Sequence, residues 1–180
     1  MLRPLPSPAD KPYTIHRLLL GTHTSGQAQD YLQIATVHLP NRDVQLERNE
    51  ERGEMGGHTI PTTPKVQIIQ KIIHPGEINK ARYMPQNPDL IATKCTSGEI
   101  LIFDRTKHSS EPDRNGQPKP DIRLVGQQKE GCVYIVHLVV VLRAKFACRF
   151  GLSWNPLKKG HILGGSEDMT VCLWCVVLQN

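Results

Sequence analysis

The residues of this sequence that could do chemistry do not combine into a known active-site motif. Cys172 and Cys175 have the Cys-x-x-Cys spacing of zinc and redox sites, but a structural zinc ion needs four ligands and no second pair occurs. The eight histidines are scattered, without a Ser-His-Asp or Cys-His order that would activate a nucleophile. Gly164-Gly165-Ser166 lacks the lysine of a phosphate-binding loop. We therefore expect no enzyme, no metal and no cofactor, and we expect Cys172 to face the interior of a sheet.

The overall composition predicts a globular chain from a reducing compartment. The sequence has 180 residues, of which 38% are hydrophobic, a fraction above that of disordered chains. Its five cysteines are an odd number without the spacing of a disulfide framework, which favours the cytosol or the nucleus over secretion. The longest apolar run, Ile135 to Leu142, is shorter than the roughly 20 residues that span a bilayer, so we expect no membrane segment.

Short strands separated by polar turns account for most of the apolar residues. Branched and leucine side chains fill residues 15–25, 31–40 and 66–74, which predicts a strand pair followed by a third strand. No segment has a sustained apolar period of about 3.6 residues, so we expect little helix. Seven further short strands are predicted in the runs ARYMPQ, LIATKCT, EILIFD, IRLV, GLSWNP, HILGGS and TVCLWC.

An internal repeat organises these strands. Residues 82–104 overlay residues 153–175 without a gap, so that Tyr83 matches Trp154 and Phe103 matches Trp174. Upstream, residues 74–77 match residues 127–130, a shorter separation, so extra residues must lie within the second copy. A unit of about fifty residues with four short strands and a long loop is typical of a β-propeller blade.

Specific motifs carry a resemblance to a known family. The runs IHRLLLGTHTS, EINKARYMPQNPDLIATK, DRTKH, GQQKEG and GLSWNP, followed by GHILGGSEDMTVCLW, resemble the histone-binding WD-repeat proteins of the retinoblastoma-binding type. These are subunits shared by chromatin assembly factor, type B histone acetyltransferase and several histone-modifying complexes, and they fold as seven-bladed propellers behind an N-terminal helix. The resemblance implies an all-β fold: a partial WD-repeat propeller of about two to three blades, open and incomplete.

The resemblance divides the chain into a tail and three blades. Residues 1–12 are expected to be a disordered tail, and residues 13–74 form the strands of the first blade around a polar loop at 41–64. Residues 75–125 form the second blade, with a polar loop at 105–120. Residues 126–180 form a third, interrupted blade.

Two stretches depart from the family pattern. Residues 132–149 are apolar, β-branched and free of turn residues, and they separate KEG from GLSWNP, which follow each other closely in the family. Residues 175–180 replace the family's continuation after Leu173-Trp174. We interpret both as translated intron or a gene-model artefact, and a genuine lineage-specific loop is the alternative. Compared with the family, the N-terminal helix and about five blades are also missing.

The resemblance also implies a binding site for a basic histone tail at the mouth of the central channel. By position in the family motifs, Glu77, Asn79 and Glu130 would receive the tail, and Phe150 replaces a family aromatic there. A carboxylate at a channel mouth gives charge-assisted hydrogen bonds to Arg or Lys, and Asn adds recognition of the peptide backbone. Without the resemblance, these would be solvated loop residues.

A structural network is expected inside the third blade. Propeller blades hold their shape partly through buried hydrogen bonds between a His before the first strand and an Asp in a later turn. Asp168 fits the Asp role, with Thr170 and Trp174 downstream, and Gln127 stands where the His is expected. The amide keeps a donor but loses the imidazole, so we expect a weaker network. An ordinary Asp turn is the alternative.

The predicted function is that of a non-catalytic histone-binding scaffold in chromatin assembly, acetylation, deacetylation and remodelling complexes. The expected location is the nucleus, with the cytoplasm as a second location. The alternative is a small autonomous β domain that binds a peptide or nucleic acid. The net charge of +5 permits nucleic-acid contact, but no basic run argues for it, so we expect no sequence-specific binding.

Overall fold

A computed structural model of the protein describes residues 13–40, 66–113, 116–124, 136–143, 151–165 and 170–176. The strands of these residues form three antiparallel sheets. The first sheet contains β1 (Tyr13–Gly21), β2 (Asp30–Pro40) and β3 (Val66–His74); the second contains β4 (Ile78–Met84), β5 (Asn87–Cys95), β6 (Ile100–Asp104) and β7 (Ile122–Leu124); the third contains β8 (Val136–Arg143), β9 (Leu152–Trp154), β10 (His161–Gly165) and β11 (Thr170–Val176).

The predicted all-β class is confirmed. One 3-10 turn, Arg105–Lys107, is the only helical element in the described part of the chain, and no helix there is long and apolar enough to cross a membrane. The spatial orders are β1-β2-β3, β4-β5-β6-β7 and β8-β11-β10-β9, and none of the three sheets closes on itself. This arrangement is that of a partial, open β-propeller.

The second sheet is covered on both faces, because successive residues of a strand point to opposite sides. Ile91, Leu101 and Phe103 pack in one core cluster with residues of the first sheet. The alternating residues Ala92 and Ile102 pack in another cluster with residues of the third sheet. The β5 and β6 strands are therefore almost continuously apolar, as expected for strands without a solvated face.

The internal repeat predicted from the sequence is confirmed by strand register. In the second sheet Ile91 pairs with Tyr83 on one side and with Phe103 on the other. In the third sheet the matching residue Ile162 pairs with Trp154 and Trp174. Each row lies on the face that packs against the preceding sheet.

The second and third sheets approach each other closely. A Cβ atom at Gly164 would lie 2.6 Å from Ile100 Cδ1 and 2.9 Å from Trp174 Cζ3, so only glycine fits there. The Trp154 indole Nε1–H donates to the Arg82 carbonyl at 3.0 Å, which joins the first strands of the two sheets. Hydrogen bonding and packing together fix the distance between these sheets.

Part of the predicted foreign segment lies in a sheet. Residues 136–143 of the 132–149 segment form β8, which pairs with β11 at the edge of the third sheet. The predicted non-family tail begins inside β11, which continues through Cys175 to Val176. The predicted tail 1–12 and most of the loop at 41–64 lie outside the described residues.

The double burial of the second sheet predicts a large cost for truncating its core. Changing Ile102, which is fully buried, to Ala should lower the free energy of unfolding by about 2–5 kcal/mol, because methyl and methylene groups are lost and a cavity remains. Urea denaturation of the whole chain measures the change. The control Leu157→Ala, at a side chain 91% exposed, should stay within about 0.5 kcal/mol. Equal effects of the two variants would contradict the described core.

Candidate functional site

Two of the predicted tail-binding residues lie where the first sheet leads into the second. Glu77 follows the turn after β3, and Asn79 lies at the start of β4. Asn79 lines a cleft of about 440 Å³ between the ends of β1 and β4, whose walls are Leu19, Gly21, Ile78, Asn79, Lys80, Ala81 and Arg82. The other two predicted residues, Glu130 and Phe150, lie outside the described part of the chain.

A buried histidine holds the turn that presents Glu77. His74 is fully buried at the end of β3, and its Nδ1–H donates to the Gly76 carbonyl at 2.6 Å. The tautomer follows from this bond, since a carbonyl can only accept, so Nε2 accepts from the Thr93 hydroxyl at 2.9 Å. Gly76 has φ +137°, a backbone conformation that L side chains rarely adopt. One imidazole thus fixes the residue before Glu77 and joins the first sheet to β5.

The burial of His74 determines its charge. Desolvation lowers the pKa of its imidazole, and this effect outweighs the Gly76 hydrogen bond and the charge of Asp30, which act in the opposite direction. The ring is therefore neutral near pH 7. Sequence reasoning placed a blade network only around Asp168 and missed this pair, although the repeat overlay had already matched His74 with Gln127.

A buried aspartate orders the loop that faces Glu77. Asp30 is 4% exposed, and its carboxylate accepts from the Thr22 hydroxyl at 2.7 Å and the Thr24 hydroxyl at 3.2 Å. The residue between these threonines, His23, places Nδ1 3.0 Å from Glu77 Oε2. The His23 side chain is 68% exposed and that of Glu77 only 19%. Glu77 is therefore a half-sheltered carboxylate with one mobile partner at the surface.

Asn79 owes its position to a β-bulge. Ile78 pairs with Cys95 and Lys80 pairs with Lys94, so Asn79 is the extra residue on the β4 side. A bulge leaves its extra residue out of the regular ladder and re-aims the side chain. On the opposite wall, a Cβ at Gly21 would lie 2.6 Å from Ile78 Cβ, which shows how closely β1 and β4 approach.

The cleft presents chemistry for recognition. The Glu77 carboxylate can bind a cation, the Asn79 amide can donate and accept, and Lys80 and Arg82 add positive charge along the wall. Among the described residues no group of three or more His, Cys, Asp or Glu side chains is arranged to hold a metal ion.

The predicted structural residues of the third blade are only partly described. Asp168 lies outside the described residues, and the backbone of Thr170 begins β11. Trp174 is 4% exposed, packs in the core, and finds no hydrogen-bond partner for its indole Nε1 among the described residues. Cys172 is buried in the same cluster, as predicted, and the nearby Cys175 is also a free thiol.

Comparisons with known proteins give a consistent set of matches. The family model for the histone-binding protein RBBP4, a component of the CAF1 complex, matches residues 2–41. The histone acetyltransferase type B subunit 2 of Mycosarcoma maydis is 50% identical over 180 residues, covering 93% of this chain and 37% of that protein. The proteins of the same name from Aspergillus oryzae and Neurospora crassa are 50% and 48% identical, covering 92% and 93% of this chain and 35% of each relative. The chain thus spans little more than a third of the length of these relatives.

The neutral state of His74 predicts a pH-dependent stability. Because the folded pKa is lowered, the unfolded state binds a proton first as the pH falls below the ordinary value of 6.5, and the free energy of unfolding decreases there. One proton contributes a limiting slope of about 1.4 kcal/mol per pH unit. His74→Gln, which cannot titrate, should lose this part of the slope between pH 7.5 and 5.5 in urea unfolding. An unchanged slope would show that His74 is not the group responsible.

The Cys95 thiol should be inert to alkylation. Burial raises its pKa to about 11, and the negative charge of Glu99 acts in the same direction, so the reactive thiolate is scarce at pH 8. Peptide mapping after brief iodoacetamide treatment should show Cys175, which is half-buried, modified well before Cys95. Urea should remove the difference. Rapid labelling of Cys95 in the native chain would contradict its described surroundings.

Proposed function

We propose, from the place of this chain among the histone-binding proteins of the RBBP4 and CAF1 type, that it acts within a histone-binding scaffold subunit. The resemblance identified in the sequence is confirmed by relatives about half identical over more than nine-tenths of the chain. Those relatives are named as subunits of type B histone acetyltransferase. We infer that the partners of this chain are histones and subunits of chromatin-assembly and histone-modifying complexes.

The observation that supports a binding site most directly is the way Glu77 is held. Its position follows from a turn fixed by a buried histidine, and its side chain is sheltered without being buried. A carboxylate in this state loses little conformational entropy on binding and still reaches a ligand from solvent. An Arg or Lys of a histone tail would replace His23 as its partner, and a charge-assisted hydrogen bond would form.

Further residues of the proposed site follow from the family motifs. Asn79 would bind the peptide backbone from its bulge, and Glu130 would supply a second carboxylate at the same channel mouth. Phe150 would pack at that entrance. We also propose that Asp168, Thr170 and Trp174 stabilise the third blade, so that the three sheets correspond to blades at 13–74, 75–125 and 126–180.

The proposed role is one of binding without catalysis, in the nucleus and also in the cytoplasm. The cleft combines a carboxylate, an amide and two cationic side chains, a set suited to holding an extended peptide. Acetyl transfer would then belong to another subunit of the complex.

Lys80 and Arg82 support a second candidate function, contact with nucleic acid. Both side chains line the same cleft as Asn79, and phosphate groups are their natural ligands. This alternative predicts an affinity for single-stranded or duplex DNA that falls steeply with salt, and that Lys80→Glu abolishes. Tail binding through Glu77 instead predicts a preference for basic peptide over DNA at physiological salt.

Reversing the charge at Glu77 should weaken tail binding. Glu77→Lys removes a charge-assisted hydrogen bond and adds repulsion, so the affinity for a labelled histone-tail peptide should fall about tenfold or more in fluorescence anisotropy. Asn79→Ala should weaken binding less, and Glu130→Lys should act like Glu77→Lys.

The matched control is Glu111→Lys, which makes the same charge change on an exposed loop residue of the second sheet. This variant should bind the peptide within about twofold of the unchanged chain. If Glu77→Lys and Glu111→Lys weakened binding equally, only net charge would matter and the site assignment would fail.

A further inference from the structure

The outer position of the third sheet is filled from an unexpected part of the chain. In the second sheet, β4, β5, β6 and β7 lie side by side in the order of the sequence. In the third sheet, β9, β10 and β11 repeat the first three positions, but the fourth is taken by β8, which precedes all of them. Both fourth strands run antiparallel to the third strand of their sheet.

The pairing of β8 with β11 is extensive. It runs from Thr170 opposite Arg143 to Val176 opposite Val136, with one irregularity after Trp174. By comparison, β7 pairs with β6 through only three residues of each strand. The segment itself, VHLVVVLR, is rich in β-branched side chains, which favour strands.

The chain is long enough for this topology. The β8 and β9 strands lie on opposite edges of the sheet, three strand spacings or about 14 Å apart. Their facing ends are level, since Arg143 pairs with Thr170 while Leu152 and Cys172 both pair with Gly164. Residues 144–151 can span at most about 26 Å, so the connection needs no distortion of the sheet.

We propose that the outer edge of β11 is a strand-binding surface and that residues 136–143 of the same chain are its occupant. The segment adds to the sheet by β-augmentation, in which backbone hydrogen bonds provide the affinity and the alternating side chains set the register. It thereby closes an edge that would otherwise pair with another strand, including the edge of a second copy. This inference does not depend on histone binding.

The register offers a direct test by disulfide trapping. Val141 lies opposite the native Cys172, and opposed residues in antiparallel strands have Cα atoms about 4.5–5.5 Å apart, within the range that a disulfide bridges. The full chain would carry Cys132→Ser and Cys175→Ser, so that the tryptic peptides 130–143 and 160–180 each contain one relevant cysteine. Val141→Cys in this background should join the two peptides within a monomer after mild oxidation.

The matched control moves the new thiol by one residue. Val140 lies opposite Leu173, on the other face of the sheet from Cys172, so Val140→Cys should give at least about tenfold less of the linked peptide. A second pair covers the case in which Val141→Cys does not fold: Val140→Cys with Leu173→Cys and Cys172→Ser should link through the neighbouring register position.

Three outcomes would overturn the proposal. Equal linkage from Val141→Cys and Val140→Cys would mean that the register is not the one described. Linkage found only in covalent dimers on non-reducing gels would make a second copy the occupant. Absence of linkage in both designed pairs, in variants that still unfold cooperatively, would mean that residues 136–143 do not pair with β11.

Discussion

The two hydrogen bonds of the His74 imidazole are the constraint on which the described site depends. One bond fixes the Gly76 carbonyl at the turn into β4, and the other joins the ring to Thr93 in the middle of the second sheet. Both nitrogens are used and the ring is fully buried, so neither a proton nor a water can be added without breaking a contact. The orientation of Glu77 is thus determined from beneath by a group that no ligand touches.

The second sheet makes this constraint rigid. Its strands pack on both faces, and a glycine and an indole hydrogen bond set the distance to the third sheet. A sheet held on both sides cannot slide by one residue without exchanging its two apolar faces, which fixes the register. The cleft between β1 and β4 therefore has walls that belong to the core on their inner side.

Sequence reasoning predicted the repeating parts of the molecule well. The strands follow from apolar runs between turns, and the match of Tyr83 with Trp154 followed from residue types at fixed spacing, since both occupy the same place in a blade. The geometry around Glu77 could not be predicted, because the bulge at Asn79 and the contact with His23 depend on how β1 approaches β4. The position of β8 was also beyond reach: its composition predicts a strand, but nothing in it specifies β11 as the neighbour.

The order of β8 in the chain has a consequence for synthesis. A ribosome releases Val136–Arg143 before it has made Thr170–Val176, so an apolar strand must wait without its neighbour while the intervening residues emerge. The second sheet, whose strands follow one another, pairs each strand as soon as it appears. Pairing of distant segments slows folding and prolongs the exposure of apolar surface. The third sheet is therefore the part of this protein that gains most from a chaperone while the chain is being made.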